Sequence, residues 1–255
     1  MKKVIVKNSI LIFAVSLLFA SCKVDLKTEP EKHYYKTTEI PIIVRDFVPY
    51  NVEDPSLQQY KHYDFDNINK SGVKPNHVLD TLDKDKKPVL NDAYLPEEMC
   101  LQSSESFAQW FRTIKGVNKE IKTSIQVRKY MTEPPEYEFY KTAFFPIDNQ
   151  GFGNDEGNHN FSFTVESTFY LLYQKNTPIT ISCKSDDDLW LFVNGKLLID
   201  LGGRHGEERE QITFDAKDYK AQPGDYIEIK LFKADRGVSG SIMGLSVSQD
   251  LYILK

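Results

Sequence analysis

The chain has 255 residues, 40% of them hydrophobic and 13% aromatic, enough for one good-sized packed domain or two small ones. Its 32 basic residues against 37 acidic ones give a net charge of −5, and without a basic cluster it lacks the footprint of a nucleic-acid binder.

In chain order, Lys2, Lys3 and Lys7 precede an apolar run from Ile10 to Ala20 that stops at Ser21-Cys22. The run is short for a membrane span, so residues 1–21 read as a secretory signal. Small residues just before a cysteine are similar to the lipobox of bacterial lipoproteins, in which that cysteine, here Cys22, is acylated and becomes the mature N-terminus. Phe19 departs from the leucine usual there, and a plain signal cut near Ala20 or an uncleaved anchor is the alternative. The expected location is the bacterial cell envelope, lipid-anchored at the outer membrane or cell surface. Taking the three lysines from the 32 basic residues leaves −8 against the 37 acids. An acidic exported chain has the carboxylates to hold a hard cation such as calcium.

Residues 22–39 are charged and lack apolar periodicity, as expected of a tether. The folded domain is expected over 40–255, opening with "EIPIIVRDF" as a first strand. From Val48 to Pro96 the chain is rich in Asp, Asn, Lys and Pro and reads as long loops with short strands or turns. "SSESFAQWFRTI", residues 103–114, is the one helical pattern. Ser103 or Ser104 caps it, Glu105 sits in its first turn, and Phe107, Trp110, Phe111 and Ile114 fall on one face as core packing.

After Gly116 the pattern turns to short alternating segments separated by turn residues. Roughly ten strands and one helix predict a mainly β fold, an antiparallel β-sandwich or jelly-roll barrel. Cys100 and Cys183 remain as an even pair in an oxidising compartment, readable as one disulfide or as two buried thiols.

Within this β region "SDDDLWLFVNGKLLIDLGG", residues 185–203, sets three carboxylates against an apolar run. Asn194-Gly195 is a strong type I′ hairpin signal. A two-residue loop places Val193 opposite Lys196, Phe192 opposite Leu197, Trp190 opposite Ile199 and Leu189 opposite Asp200. That register brings Asp187 and Asp200 onto one face, roughly 7 Å apart by Cα. Asp186 and Asp188 join them only if the backbone is bent at the Asp pair. Carboxylates so crowded repel, and a doubly positive cation such as calcium, Ca2+, would offset that. A solvated acidic turn with no ion is the competing reading.

These residues resemble a known signature. "SDDDLWLFVNGKLLIDLGGRHG" closely resembles that of the fibro-slime domain, an extracellular module of bacteria and slime moulds related to the PA14 domain. "EIPIIVRDF", "SSESFAQWFRTIKGVN" and "AFFPIDNQGFGNDEGNHNFSFTVES" look like its opening strand, helix and central block, so the resemblance covers about residues 38–249. It implies a PA14-like β fold. In lectin-like PA14 members, calcium is held by two adjacent aspartates and sugar hydroxyls complete its coordination. Asp186 and Asp187 align with that pair, and Asp188 stands where many PA14 members have glycine. Asp200, Gly202, Gly203 and His205 match the hairpin's end.

The expected metal ligands are therefore Asp186, Asp187, Asp188 and Asp200. Asn194 and His205, with Asp148, Asn154 and Asp155 of a second oxygen-rich loop over 148–160, are the expected ligand contacts. That loop fails the EF-hand pattern, having His159 where an acid is required, and it reads either as lining the same end of the fold or as a Gly-rich surface loop. Five scattered histidines without HExxH, and no G-x-S-x-G elbow or Walker loop, argue against an enzyme. A glycosidase with paired carboxylates is the weakest alternative. The favoured reading is calcium-dependent binding of carbohydrate or another extracellular polymer, for adhesion. The second is a structural module of a surface matrix in which calcium only braces loops.

Overall fold

The computed structural model describes residues 34–66, 72–155, 158–237 and 239–254. The signal segment, Cys22 and the first part of the expected tether lie outside the described residues.

Among the described residues twelve strands carry the fold: β1 (Tyr34–Pro49), β2 (Lys61–His62), β3 (Asn118–Tyr130), β4 (Glu136–Lys141), β5 (Phe163–Leu172), β6 (Ile179–Ser185), β7 (Leu189–Val193), β8 (Lys196–Leu201), β9 (Glu208–Phe214), β10 (Tyr226–Asp235), β11 (Met243–Val247) and β12 (Leu251–Tyr252). Ten of them form an antiparallel sheet in the order β8-β7-β10-β5-β1-β3-β4-β11-β6-β9. β12 takes the part of β5's edge that β1 leaves, and β2 runs parallel to the end of β1. The outermost strands, β8 and β9, come round to one another, and the Asp200 N–H donates to Glu210 Oε2 at 3.1 Å across the seam. The architecture is a mainly β, nearly closed barrel, as the alternating segments imply.

Period-two alternation fills the interior. Ile42 and Val44 of β1, Ile125 and Val127 of β3, Leu189 and Leu191 of β7, Ile229 and Leu231 of β10 all enter one buried cluster. A second cluster lies on the outer face of β7 and β10. There Trp190, Phe192 and Phe232 are covered by Phe47, Phe65, Met99, Phe107, Trp110 and Phe111, mostly from the excursion between β1 and β3. This explains why "LWLFV" is apolar without alternation: β7 is buried on both faces.

Several sequence expectations need correction. Residues 34–39 of the expected tether are strand, because Thr37 to Glu39 pair with Gln126 to Arg128 of β3 and β1 extends further than its apolar residues show. The helix α1 (Ser104–Phe107) lasts one turn, capped by Ser103 as expected. Its aromatic face is real, but Phe107 packs from this single turn and Trp110 and Phe111 from the turns that follow it. No disulfide joins Cys100 and Cys183. Cys183 lies inside the barrel, where burial pushes its thiol far up, while Cys100 sits on the turn after Met99, whose side chain belongs to the outer cluster.

Phe232→Ala empties part of the outer cluster and should lower stability by about 3–5 kcal/mol in urea denaturation. Tyr226→Ala, at the exposed start of the same strand, should cost under about 1 kcal/mol.

Candidate functional site

The three carboxylates between β6 and β7 do not point together. Asp187 has φ +48°, a left-handed conformation unusual outside glycine, and it turns the chain so that each side chain meets a different partner. A bend at the Asp pair is the condition the sequence sets for the acids to share one site, and here the bend separates them instead. Asp186 Oδ1 accepts from the Ile242 N–H at 2.6 Å, and Lys233 Nζ lies 2.7 Å from the Asp186 carbonyl and 3.4 Å from its carboxylate. Asp187 Oδ2 accepts from the Arg236 N–H at 2.8 Å, and Arg204 Nε is 3.9 Å from Oδ1. Asp188, fully buried, accepts from the Gly203 N–H at 2.6 Å and from Arg236 Nε at 2.8 Å.

The cations that hold this cluster come from the end of β10. Lys233 and Arg236 are both fully buried. Arg236 also donates to the Met99 carbonyl at 2.8 Å and stacks its guanidinium 5.0 Å over Trp110. Burial pushes the Asp188 carboxyl up and the Arg236 guanidinium pulls it down. Asp235, between the two cations in sequence, is pushed well above the ordinary carboxylate range by burial and keeps Oδ2 without a hydrogen-bond partner. The crowded acids are thus balanced largely by the chain's own lysine and arginines. "KADRG" was the signal for them, two cations at the end of an apolar strand, and sequence reasoning passed over it.

Asp200 is elsewhere. The hairpin turn is as expected, with positive φ at Asn194 and Gly195, and Val193 pairs Lys196 and Phe192 pairs Leu197. A bulge then follows, so that Leu191 faces Ile199, Trp190 faces Asp200 and Leu189 faces Leu201. The bulge lets Leu197 pack on the outer cluster while Ile199 and Leu201 fill the barrel, which the regular register forbids. Asp200 accordingly accepts from Trp190 Nε1 at 3.0 Å, from the Gly202 N–H at 3.1 Å and from the Asn76 N–H at 2.7 Å.

Asn194 holds the opposite end of the hairpin, donating to the Tyr219 carbonyl at 3.1 Å and accepting from the Glu228 N–H at 2.9 Å. The His205 ring sits between the carbonyls of Leu201 and Gly206, at 2.9 and 2.7 Å. Both are turn-holding residues.

The loop over 148–160 lies at the same end as the acidic cluster. Asp155 is pushed up chiefly by burial and in part by the charge of nearby Asp66, whose N–H donates to the Arg236 carbonyl at 3.1 Å. Within the loop, Asp148 accepts from the Asn160 N–H at 3.0 Å and faces His159 Nδ1 at 2.7 Å. Asn154 accepts from the Asn149 N–H at 2.6 Å, and Asp155 accepts from the Phe161 N–H at 2.8 Å. The loop is clamped to β1 by Asp46, fully buried, which accepts from Asn160 Nδ2 at 2.7 Å and from the Phe152 N–H. Sequence reasoning missed Asp46, one acid in an apolar strand. Burial raises Asp46 to about 7 and Asp155 to about 6.

For a hard cation the fit is partial. Asp188 and Asp200 have both oxygens engaged, whereas Asp186 Oδ2 and Asp187 Oδ1 accept no hydrogen bond among the described residues. They are the oxygens available to calcium. Among the described residues no three His, Cys, Asp or Glu side chains are grouped to hold a metal. Any such ion would take most of its six to eight ligands from main chain, water or a bound molecule.

No protein-family model matches the chain. Protein psiQ of Dictyostelium discoideum is 34% identical over 168 residues, 61% of this chain and 16% of that protein. Protein psiC of the same organism is 30% identical over 176 residues, 64% of this chain and 34% of its own length. Protein psiJ is 26% identical over 242 residues, 83% of this chain and 31% of its own. The chain therefore spans between about a sixth and a third of these relatives. Among solved structures it is similar to the epithelial adhesin 9 A domain of Candida glabrata, in complex with Galβ1-3GlcNAc, at TM-score 0.35 and 11% identity over 85% of this chain and 86% of that one. It is similar also to a PA14 sugar-binding domain from an RTX adhesin, at TM-score 0.29 and 14% identity over 44% of this chain and 69% of that one. The relatives correct one expectation: they are proteins of a eukaryote, which points away from a bacterial origin and from a lipid-anchored place in a bacterial envelope.

Arg236→Met should destabilise the protein by about 3–5 kcal/mol by leaving Asp188 buried and unpaired, and adding Asp188→Leu should restore much of that in the same denaturation assay. Because Asp46 and Asp155 are raised in the folded state, that state holds protons the unfolded chain has already released above about pH 4. Stability should therefore fall as pH rises toward 7, by up to about 1.4 kcal/mol per pH unit for each group. Asp46→Asn should flatten that slope in urea titrations between pH 4 and 7.

Proposed function

We propose that the chain is a non-catalytic adhesion module that binds carbohydrate or a similar hydroxyl-rich polymer through calcium held at Asp186 and Asp187. One observation carries the reading. The two adjacent carboxylates each keep an oxygen that accepts no hydrogen bond among the described residues, on a backbone bent by the positive φ of Asp187. Calcium, when bound, supplies open coordination positions that vicinal sugar hydroxyls can fill. The chain's own residues set the pair's geometry: Arg236 and Ile242 fix the inner oxygen of each carboxylate, and Arg204 stands at the rim beside Asp187. The choice of a sugar follows the resemblance to lectin-like PA14 domains noted for the sequence.

A second reading is favoured by Lys233 and Arg236. Since buried cations already balance much of the acidic charge, the end of the barrel has what a purely structural module of an assembled matrix needs, with calcium at most bracing its loops.

Calorimetry with calcium, and a glycan array read with and without chelator, separate the two. The binding reading expects calcium affinity and glycan capture to drop at least tenfold in Asp187→Asn. Unchanged calcium affinity and glycan binding in that variant would sink it. A melting temperature lowered by chelation, with no glycan captured, would favour the structural module instead.

A further inference from the structure

We propose that the cleft where β3 and β4 part takes an extended, mainly uncharged peptide as an added strand. β3 and β4 pair only over Arg128 to Tyr130 and Glu136 to Glu138. Beyond that hairpin the strands separate, since β4 turns aside to pair with β11 while β3 stays with β1. Two strand edges are left facing one gap, Lys119 to Val127 on one side and Phe139 to Lys141 on the other. Among the described residues neither edge has a strand partner across the gap.

The gap is a cleft of about 550 Å3, lined by Ser124, Gln126, Tyr140 and Phe145, with Ile125 and Phe144 of the barrel interior at its base. Thr123 is exposed although it shares a face with Ile125, which marks the place where the sheet opens. Unpaired edges in stable proteins are ordinarily guarded by charged side chains. β3 has such guards at Lys119, Glu120 and Lys122, and again at Arg128 and Lys129. Between them "TSIQV" has none, and its first four residues border the cleft, with Arg128, Glu138 and Lys141 also in the lining.

The occupant follows from what is unspent. Rows of main-chain N–H and C=O groups on both walls are satisfied by another strand, whose own groups repeat at the same spacing of about 3.3 Å per residue. Four or five extended residues would match Thr123 to Val127. Alternate side chains would meet the apolar base, so β-branched or small apolar residues suit every second position. The surface lies apart from Asp186 and Asp187 in its residues and chemistry, and the inference stands whether or not those hold calcium.

The test pans a phage-displayed library of random heptapeptides on the full chain and, in parallel, on Ser124→Lys/Gln126→Lys, which extends the charged guard across the gap. Enriched peptides with β-branched alternation should lose at least tenfold recovery on the double variant. A synthetic copy of the strongest should slow amide exchange of Thr123 to Val127 and of Phe139 to Lys141 at least tenfold. The same peptide N-methylated at alternate residues should do neither, which covers the event that the variant folds poorly. The proposal fails if no peptide distinguishes the two proteins, if the synthetic peptide gives no exchange protection at these edges, or if an oligosaccharide panel protects them where peptides do not.

Discussion

The ion pair between Asp188 and Arg236 is the constraint on which the functional end of this molecule depends. Two opposite charges fully removed from water are tolerable only when they pair closely and gain further hydrogen bonds. Both Asp188 oxygens and Arg236 Nε and Nη1 are engaged, while Arg236 Nη2 has no partner among the described residues. Here that demand gathers otherwise separate pieces of chain: the start of β7, the turn after β8 through Gly203, the end of β10, the turn at Met99 and the ring of Trp110. Moving any of them strands a charge. The pair therefore orders the acidic turn, and the positive φ of Asp187 is tolerated because its neighbour cannot leave.

The same arrangement explains why the outer aromatic cluster exists. β7 and β10 carry large apolar side chains on both faces, and a single-layered barrel offers only one interior. The excursion between β1 and β3 supplies the missing cover, with Trp110 touching both the ion pair and Phe107, Phe65 and Trp190. Burial of Asp64 beneath this layer is offset by donors from Gln102, Ser106 and Trp110. Cover and ion pair form one continuous structure.

Fold class, most strands and the Asn194-Gly195 turn were legible because alternation and turn chemistry are local properties. The bulge in β8 was not, since nothing near Leu198 announces that Leu197 and Ile199 belong to two different cores. Nor were the partners of Asp186 and Asp188, which stand 47 and 48 residues further along the chain. The acids were visible as a cluster, but their neutralisation was decided by distant cations, so sequence reasoning assigned to an ion work that Lys233 and Arg236 largely do. Asp148, Asn154 and Asp155 are expected ligand contacts from the sequence, yet much of their hydrogen-bonding capacity goes to holding their own loop. The start of β1 was missed because its first residues are charged or polar and gain strand structure only from β3.

The cover over β7 and β10 also bears on how the molecule is made. Phe65, Phe107, Trp110 and Phe111 leave the ribosome long before the strands they shelter, and Arg236, which locks Met99 in place, follows that residue by 137 positions. Through most of synthesis these aromatic rings have no sheet to lie on. A chain with this order of parts keeps its most apolar surface uncovered through most of its synthesis, until β10 has emerged.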